Sequence, residues 1–197
     1  MGPNAIIEPV GACATLIWEE FQKSGLSDKI SVVSANLIYT VLQIHTLNFN
    51  APATSDRDRK AFAQIKKYTR LPSDWFETYY AQHESDYVRD PVGAVNSDSK
   101  LAYFPNLDLE LNIAQAELWN GSEFIQKYEI PIKQFFDKQN HPYWFLTLAS
   151  IKEGKNYLLS TNDKLKLALA KAVGIEFKGD IGPLNSKTIP LPEPISR

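Results

Sequence analysis

The sequence predicts a mixed α/β fold in two parts, a helical part over residues 1–50 and a mixed-sheet part over residues 51–197. Three observations predict this class. Apolar residues recur at helical spacing through the first fifty residues, and from about residue 100 they alternate with polar residues, as they do in strands. Strand-like segments then alternate with helical ones as far as about residue 190, which is typical of a sheet covered by helices.

Two helices are predicted in the first part. The first spans residues 12–24 and ends at Gly25, a typical residue at the end of a helix. Ser27 and Asp28 then offer side chains that can cap a second helix over residues 29–46. Because the second helix is apolar on nearly every face, we expect it to lie at the centre of the protein.

The middle of the chain is predicted to be mostly helical with polar interruptions. Its segments, in order, are a linker at 48–55, a helix capped by Thr54 or Ser55 that runs through Tyr68, a break at 71–74, a helix at 75–82 and a polar turn region at 84–97.

The last part alternates between strands and helices. Its predicted segments, in order, are strands at 100–104 and 107–118, a helix at 122–139 that Pro131 bends or splits, a strand at 143–151 that forms a hairpin with 157–160, a helix at 164–173 ended by Gly174, and a proline-rich extended tail at 183–194.

Composition and charge narrow the class of protein. The 197 residues include 21 Lys and Arg against 23 Asp and Glu, so the net charge is −2, and the pI is about 5.9. This balance argues against a nucleic-acid binder or a polybasic membrane-surface protein. No apolar stretch reaches the roughly 18 residues of a membrane span, and the single cysteine, Cys13, cannot form an internal disulfide. We expect a cytoplasmic protein that binds neither nucleic acid nor membranes.

The residues by themselves predict no catalytic site. The sequence has no Gly-rich phosphate loop, no nucleophile turn and no paired cysteines, and its three histidines, His45, His83 and His141, lie far apart. A single histidine at the end of an apolar helix is more often a hydrogen-bonded structural residue than a metal ligand. Basic residues in turns, such as Arg89 and Lys187, are ordinarily solvated charges.

A resemblance to a known family adds what these patterns do not supply. Residues 8–25 resemble the Glu-Pro-Val-Gly-x-Cys-x-Thr segment of the DHH superfamily, which includes family II inorganic pyrophosphatases, cytosolic exopolyphosphatases and prune-type phosphodiesterases. Further similar segments follow in the family's order, at residues 41–49, 54–62, 98–100, 112–117, 144–160, 164–174 and 185–192. The resemblance implies that residues 1–50 are the helical end of a DHH domain and that residues 51–197 are the DHH-associated, substrate-binding α/β domain.

The resemblance also implies which metal chemistry is missing. Active members hold two divalent cations, such as Mn²⁺, Co²⁺ or Mg²⁺, with Asp and His residues that include the Asp-His-His triplet, and the cations activate a water molecule. That triplet is absent from these residues, and His45 stands where one ligand Asp is expected. An imidazole can bind a transition metal but lacks the charge of a bridging carboxylate. We therefore expect no catalytic residue here and regard His45 as the one candidate metal ligand.

The sequence keeps some of the basic residues with which the family binds substrate. Arg89 stands where the family has a Lys before its first strand, and Ser186 and Lys187 stand where it has an Arg-Lys pair. Arg and Lys suit phosphoanhydrides because they neutralise oxygen charge. The resemblance thus implies that Arg89, Ser186 and Lys187 bind substrate. One of the family's three cations is lost, because Ser186 stands in place of the Arg.

Three functions remain open on the sequence. The first is a divergent or truncated metal-dependent phosphoanhydride hydrolase of exopolyphosphatase or inorganic pyrophosphatase type, which acts on polyphosphate or pyrophosphate and is inactive as this chain alone. The second is a non-catalytic module that binds phosphate, nucleotide or protein. The third is a half-enzyme that a partner chain completes by supplying the missing DHH half.

Overall fold

The structure, a computed structural model, describes residues 6–105 and 108–185. Its helices are α1 (Cys13–Lys23), α2 (Val32–His45), α3 (Asp56–Ile65), α4 (Trp75–Arg89), α5 (Pro91–Ser97), α6 (Gly121–Asp137) and α7 (Asp163–Val173). Its strands are β1 (Ser99–Phe104), β2 (Leu109–Leu118), β3 (Trp144–Ser150), β4 (Lys155–Leu159) and β5 (Ile181–Asn185). The predicted mixed α/β class is confirmed. None of these helices is long and apolar enough to cross a membrane.

The chain divides into two compact units between Phe76 and Glu77, inside α4. In the first unit, α1, α2 and α3 pack on one another. Helix α3 thus lies with the two N-terminal helices, although the sequence predicts that residues 51–197 belong to the second part. The assignment of the two ranges to a DHH domain and a DHH-associated domain stays a prediction.

The second unit is built on a single five-stranded sheet with the order β1-β2-β3-β4-β5. Strands β2 and β3 are parallel, and the other neighbouring pairs are antiparallel. Parallel neighbours need a crossover connection, and α6 supplies it. Pro131 lies inside α6, which continues through it as one helix.

The core of the second unit lies between α6 and one face of the sheet. Strand β3 is fully buried on that face, which confirms that residues 143–151 contain a central strand. The buried cluster consists of Val95, Ala114, Ala116, Leu118, Phe124, Ile125, Ile132, Phe136, Trp144, Leu146, Leu148 and Leu159.

The structure corrects the prediction for residues 84–97. They are not a turn region, because α4 continues to Arg89 and α5 follows almost at once. The Asp90 side chain accepts a hydrogen bond from the Gly93 backbone N–H at 2.9 Å and so caps α5. Pro91 occupies the first position of that helix, where its missing N–H costs nothing.

Helix α2 also differs from its prediction in two ways. Ser31 caps it, by accepting a hydrogen bond from the Ser34 N–H, while Ser27–Lys29 forms a separate 3₁₀ turn. The helix is not central, since Val33 is 69% exposed and Leu37 is 62% exposed. A helix that is apolar on every face has no pattern that shows which face is buried. In the structure, contacts with α1 and α3 determine the buried face of α2.

Candidate functional site

Arg89 lies in the last turn of α4. Its side chain is 76% exposed and forms an ion pair with Asp86, with 3.2 Å between Nη2 and Oδ1. An exposed pair of this kind contributes little to stability and leaves the guanidinium open to solvent and ligands.

The other two predicted substrate-binding residues, Ser186 and Lys187, lie outside the described residues, as does most of the proline-rich tail. Their convergence with Arg89 on one phosphate site therefore stays a prediction.

His45 is the last residue of α2 and is exposed. Among residues 6–105 and 108–185, no three His, Cys, Asp or Glu side chains come together to hold a metal ion. A catalytic zinc site uses three protein ligands, and the two-cation centre that the resemblance implies needs ligands for both cations. The described residues therefore do not fit the metal centre that the resemblance implies, and His45 belongs to no group of three candidate ligands there.

The backbone directly after His45 adopts an unusual conformation. Leu47, Asn48 and Phe49 have φ angles of 48°, 53° and 64°, so three successive residues are left-handed. This conformation costs roughly 1–2 kcal/mol per non-glycine residue. Thr46 holds the turn, since its hydroxyl donates to the Leu42 carbonyl at 2.6 Å and accepts from the Phe49 N–H at 3.1 Å. The sequence offered little signal for this turn, because only Asn48 is a residue type that favours it.

Side chains from α3 support the same turn. The Phe49 ring packs edge-on against Phe62, with 4.9 Å between centroids, and Arg59 donates a hydrogen bond to the Phe49 carbonyl at 3.0 Å. Strained backbone persists only where the surroundings hold it in this way.

Asp58 connects the segment that resembles the family motif to α3. Its carboxylate accepts hydrogen bonds from the backbone N–H groups of Gly11 and Ala12, at 2.9 and 3.2 Å, and from the Thr15 hydroxyl at 2.5 Å. It also accepts from both the N–H and the hydroxyl of Ser55, each at 2.7 Å. One fully buried carboxylate thus caps the N-termini of both α1 and α3.

The environment of Asp58 favours its charged form. Burial raises the pKa of Asp58, but the hydrogen bonds from Thr15, Ser55 and Gly11 outweigh burial and place the pKa below its ordinary value. Gly11 leaves room beside the carboxylate, because a Cβ there would lie 3.1 Å from Asp58 Oδ2 and from the Thr54 backbone and would crowd both. Gly11 and Thr15, two residues of the motif, therefore have a structural role in this protein.

A second charged group also ties the motif to α3. Arg57 donates to both oxygens of Glu19, at 2.9 and 2.5 Å, and to Glu8. The hydrogen bond and charge of Arg57 lower the pKa of Glu19 despite the opposing effect of burial.

Comparison with known proteins identifies the fold. No protein-family model matches the sequence, and no curated protein matches it either. The chain is similar to the crystal structure of a Methanococcus jannaschii protein assigned to the family II inorganic pyrophosphatases, with a TM-score of 0.64 and 18% sequence identity. That match covers 94% of this chain and 64% of the Methanococcus protein.

A second solved structure is a looser match. It is an exopolyphosphatase-related protein from Bacteroides fragilis, with a TM-score of 0.39 and 13% identity, and the match covers 89% of this chain and 52% of that one. Of these two structures, the Methanococcus one is similar enough to show a shared fold. The present chain spans less than two thirds of the length of that protein.

Proposed function

We propose that this chain is a divergent phosphoanhydride hydrolase of the exopolyphosphatase or inorganic pyrophosphatase type that binds pyrophosphate or polyphosphate but does not hydrolyse it alone. The observation that carries the proposal is the fold shared with a protein assigned to the family II inorganic pyrophosphatases, over 94% of this chain. The ordered series of similar segments between residues 8 and 192 supports the same class from the sequence.

The proposed lack of hydrolysis rests on the chemistry of the described residues. Two-metal hydrolysis needs carboxylate and imidazole ligands that bridge the cations. His45 is exposed at the end of α2, and the described part of the chain brings no three candidate ligands together. A partner chain that supplies the missing DHH half would complete such a centre with Mn²⁺, Co²⁺ or Mg²⁺, and it belongs to the same proposal.

Phosphate binding needs only converging cations, so it can persist without catalysis. Arg89 is the candidate cation that the structure describes, and its exposed guanidinium can bind two phosphate oxygens at once. Lys187 and Ser186 complete the proposed set.

The second candidate function is a non-catalytic module that binds phosphate, nucleotide or protein. Arg89 is exposed, and the described residues contain no group of three candidate metal ligands. These two observations favour phosphate binding without turnover. Turnover in the presence of a partner chain that supplies the missing DHH half separates the two candidates, because the isolated chain is expected to be inactive under both.

Calorimetric titration with tripolyphosphate at low and moderate salt tests the binding. We expect weak binding that falls as salt rises, because the contacts are ionic and exposed. Arg89→Ala and Lys187→Ala should each weaken binding by about 1–3 kcal/mol, as expected for a charge-assisted hydrogen bond. Lys100→Ala is the matched control, since Lys100 is 75% exposed and pairs with Asp98 at 3.5 Å, much as Arg89 pairs with Asp86. Indistinguishable titrations of all four proteins would refute the proposed phosphate site.

Hydrolysis is measured on the same preparation, with pyrophosphate and Mn²⁺, Co²⁺ or Mg²⁺, against a heat-killed control. We expect no turnover above that control. Metal-dependent turnover that His45→Ala abolishes would show that the chain does assemble a working metal centre.

A further inference from the structure

A basic stripe follows the exposed side of α3 and of the 3₁₀ turn directly after it. Residues 59–70 contain five Lys and Arg residues and no Asp or Glu. With these five taken from the total of 21, the rest of the chain has 16 basic residues against 23 acidic ones, a net charge of −7. The charge of this short segment is therefore opposite to that of the remaining protein. The stripe consists of Arg59, Lys60, Lys66, Lys67 and Arg70, all of which are exposed.

Helical geometry places these cations in neighbouring rows. Arg59 and Lys66 are seven residues apart, as are Lys60 and Lys67, and seven residues make about two turns of a helix. The two ends of each row therefore lie roughly 10 Å apart along the helix axis. A single ligand that contacts the whole stripe must be extended and must carry several negative charges.

The cations of the stripe are not neutralised within the described part of the chain. None of them has an ion-pair partner there, whereas Arg57, on the same helix, is held by two carboxylates. The charge of Asp28 acts on Lys67, but the Asp28 carboxylate already accepts a hydrogen bond from Tyr68 at 2.6 Å. The stripe is therefore open to an external anion.

The surroundings of the stripe distinguish between classes of polyanion. Proteins that bind single-stranded nucleic acids stack the bases on aromatic side chains. The rings of this segment already pack on other rings, Phe62 on Tyr39 with 4.3 Å between centroids and Tyr68 on Trp18 with 5.6 Å. Helices that bind anionic membranes also present large apolar side chains, and residues 56–70 expose none. These observations favour a polyanion without bases and without a lipid phase.

We propose that the basic stripe binds inorganic polyphosphate along the length of the polymer. Polyphosphate is linear, carries charge on every phosphate and has no bases. Pyrophosphate, with two phosphates, is too short to contact both ends of a row. The stripe thus selects polyphosphate from the two substrates that the proposed function leaves open, and this choice of substrate rests on that function.

Calorimetric titration with long-chain inorganic polyphosphate tests the stripe. The double variant Lys60→Gln with Lys67→Gln should weaken binding of the long chain about tenfold or more at low salt. It should also reduce the slope of log affinity against log salt by about two, because two phosphate contacts are lost. The matched control is Lys164→Gln with Lys171→Gln, since these two lysines are also exposed and seven residues apart, on α7. The control should change neither the affinity nor the slope.

Circular dichroism verifies that each variant folds, and Lys66→Gln supplies a second variant that removes one charge. A loss of affinity no larger than that of the control overturns the proposal. Binding of single-stranded oligothymidylate as tight as that of polyphosphate, and weakened by the same variants, also overturns it, because the stripe would then be a nucleic-acid site.

Tripolyphosphate separates this proposal from the proposed function. Its binding should depend on Arg89 and Lys187 and stay unchanged when Lys60 and Lys67 are replaced. Tripolyphosphate binding combined with no effect of the stripe variants on the long chain would refute the stripe alone. Stripe-dependent binding of the long chain without tripolyphosphate binding would refute the site at Arg89 alone.

Discussion

The two units of the molecule are stabilised in different ways. Among the described residues of the first unit, four of the eight that form the buried apolar cluster are alanines, and the helices also meet around the buried carboxylate of Asp58. Among the described residues of the second unit, two of the twelve clustered residues are alanines, and large side chains fill the space between α6 and the sheet. Directional hydrogen bonds thus contribute more to the first unit, whereas close packing of large side chains dominates the second.

This difference predicts different sensitivities. Small side chains let α1, α2 and α3 approach closely but remove little apolar surface from water, so each polar contact matters more. A packed sheet core loses stability mainly when a cavity opens within it. Three variants test the contrast, in order of expected effect.

Phe136→Ala should cause the largest loss. Phe136 is 1% exposed and stacks on Trp144 with 5.0 Å between ring centroids. Removing a buried aromatic ring typically costs about 3–5 kcal/mol. Urea unfolding measures the free energy of unfolding, and Phe104→Ala, at a 41% exposed position, should cost less than about 1 kcal/mol. Equal losses would show that the sheet core is not the main source of stability in this unit.

Asp58→Asn should cost about 2–4 kcal/mol, because the amide nitrogen cannot accept the hydrogen bonds that one carboxylate oxygen accepted. The loss should be local. Hydrogen exchange read segment by segment should speed up in α1 and α3 and stay unchanged in α6. Uniform acceleration in both units would contradict the contrast between them.

The Asp58 contribution should also depend on pH. Its pKa is lowered in the folded protein relative to 3.8, so its stabilisation is fully present above that value. The stabilisation is lost as the pH falls from there through the folded-state pKa. The difference in unfolding free energy between wild type and Asp58→Asn should therefore shrink below about pH 4. A constant difference from pH 6 to pH 2 would show that the carboxylate charge is not what matters.

Asp180→Asn should have the smallest effect, about 1 kcal/mol. Asp180 pairs with Lys133 at 2.7 Å and with Lys166 at 2.8 Å, and all three side chains are partly buried. Burial raises the pKa of Asp180, but its two lysine partners outweigh burial and lower it, so this stabilisation is also lost in acid. Asp163→Asn is the control, because Asp163 is 93% exposed and its pair with Lys166 should contribute almost nothing. A loss as large as that of Asp58→Asn would remove the contrast between the units.

Local signals in the sequence were sufficient for several elements. The end of α1 was predicted from Gly25, which takes a φ of 66°, while the Leu26 N–H bonds the Phe21 carbonyl and the Gly25 N–H bonds the Gln22 carbonyl. The apolar run at 143–151 likewise predicted the central strand. The prediction of a turn region at residues 84–97 was wrong. It followed the polar composition of that segment and did not take into account that Asp90 caps a helix that begins at Pro91.

The contacts of Asp58 and of the turn after His45 could not be predicted from the sequence in the same way. Ser55 and the acidic first turn of α3 were recognised as a helix start, but the same Asp58 also caps α1 through groups 43 to 47 residues away. No local pattern encodes such a distant partner. The left-handed turn after His45 is similar, since Phe62 and Arg59 hold it from another helix.

The sequence alone determined the fold class, most helices and strands, and the absence of recognisable catalytic motifs, because these depend on periodicity, capping and residue type within a few positions. The tertiary structure decided which face of α2 is buried and which polar groups meet at Asp58. Those outcomes depend on contacts between segments distant along the chain, and the free energy of a contact is defined only once both partners are in place.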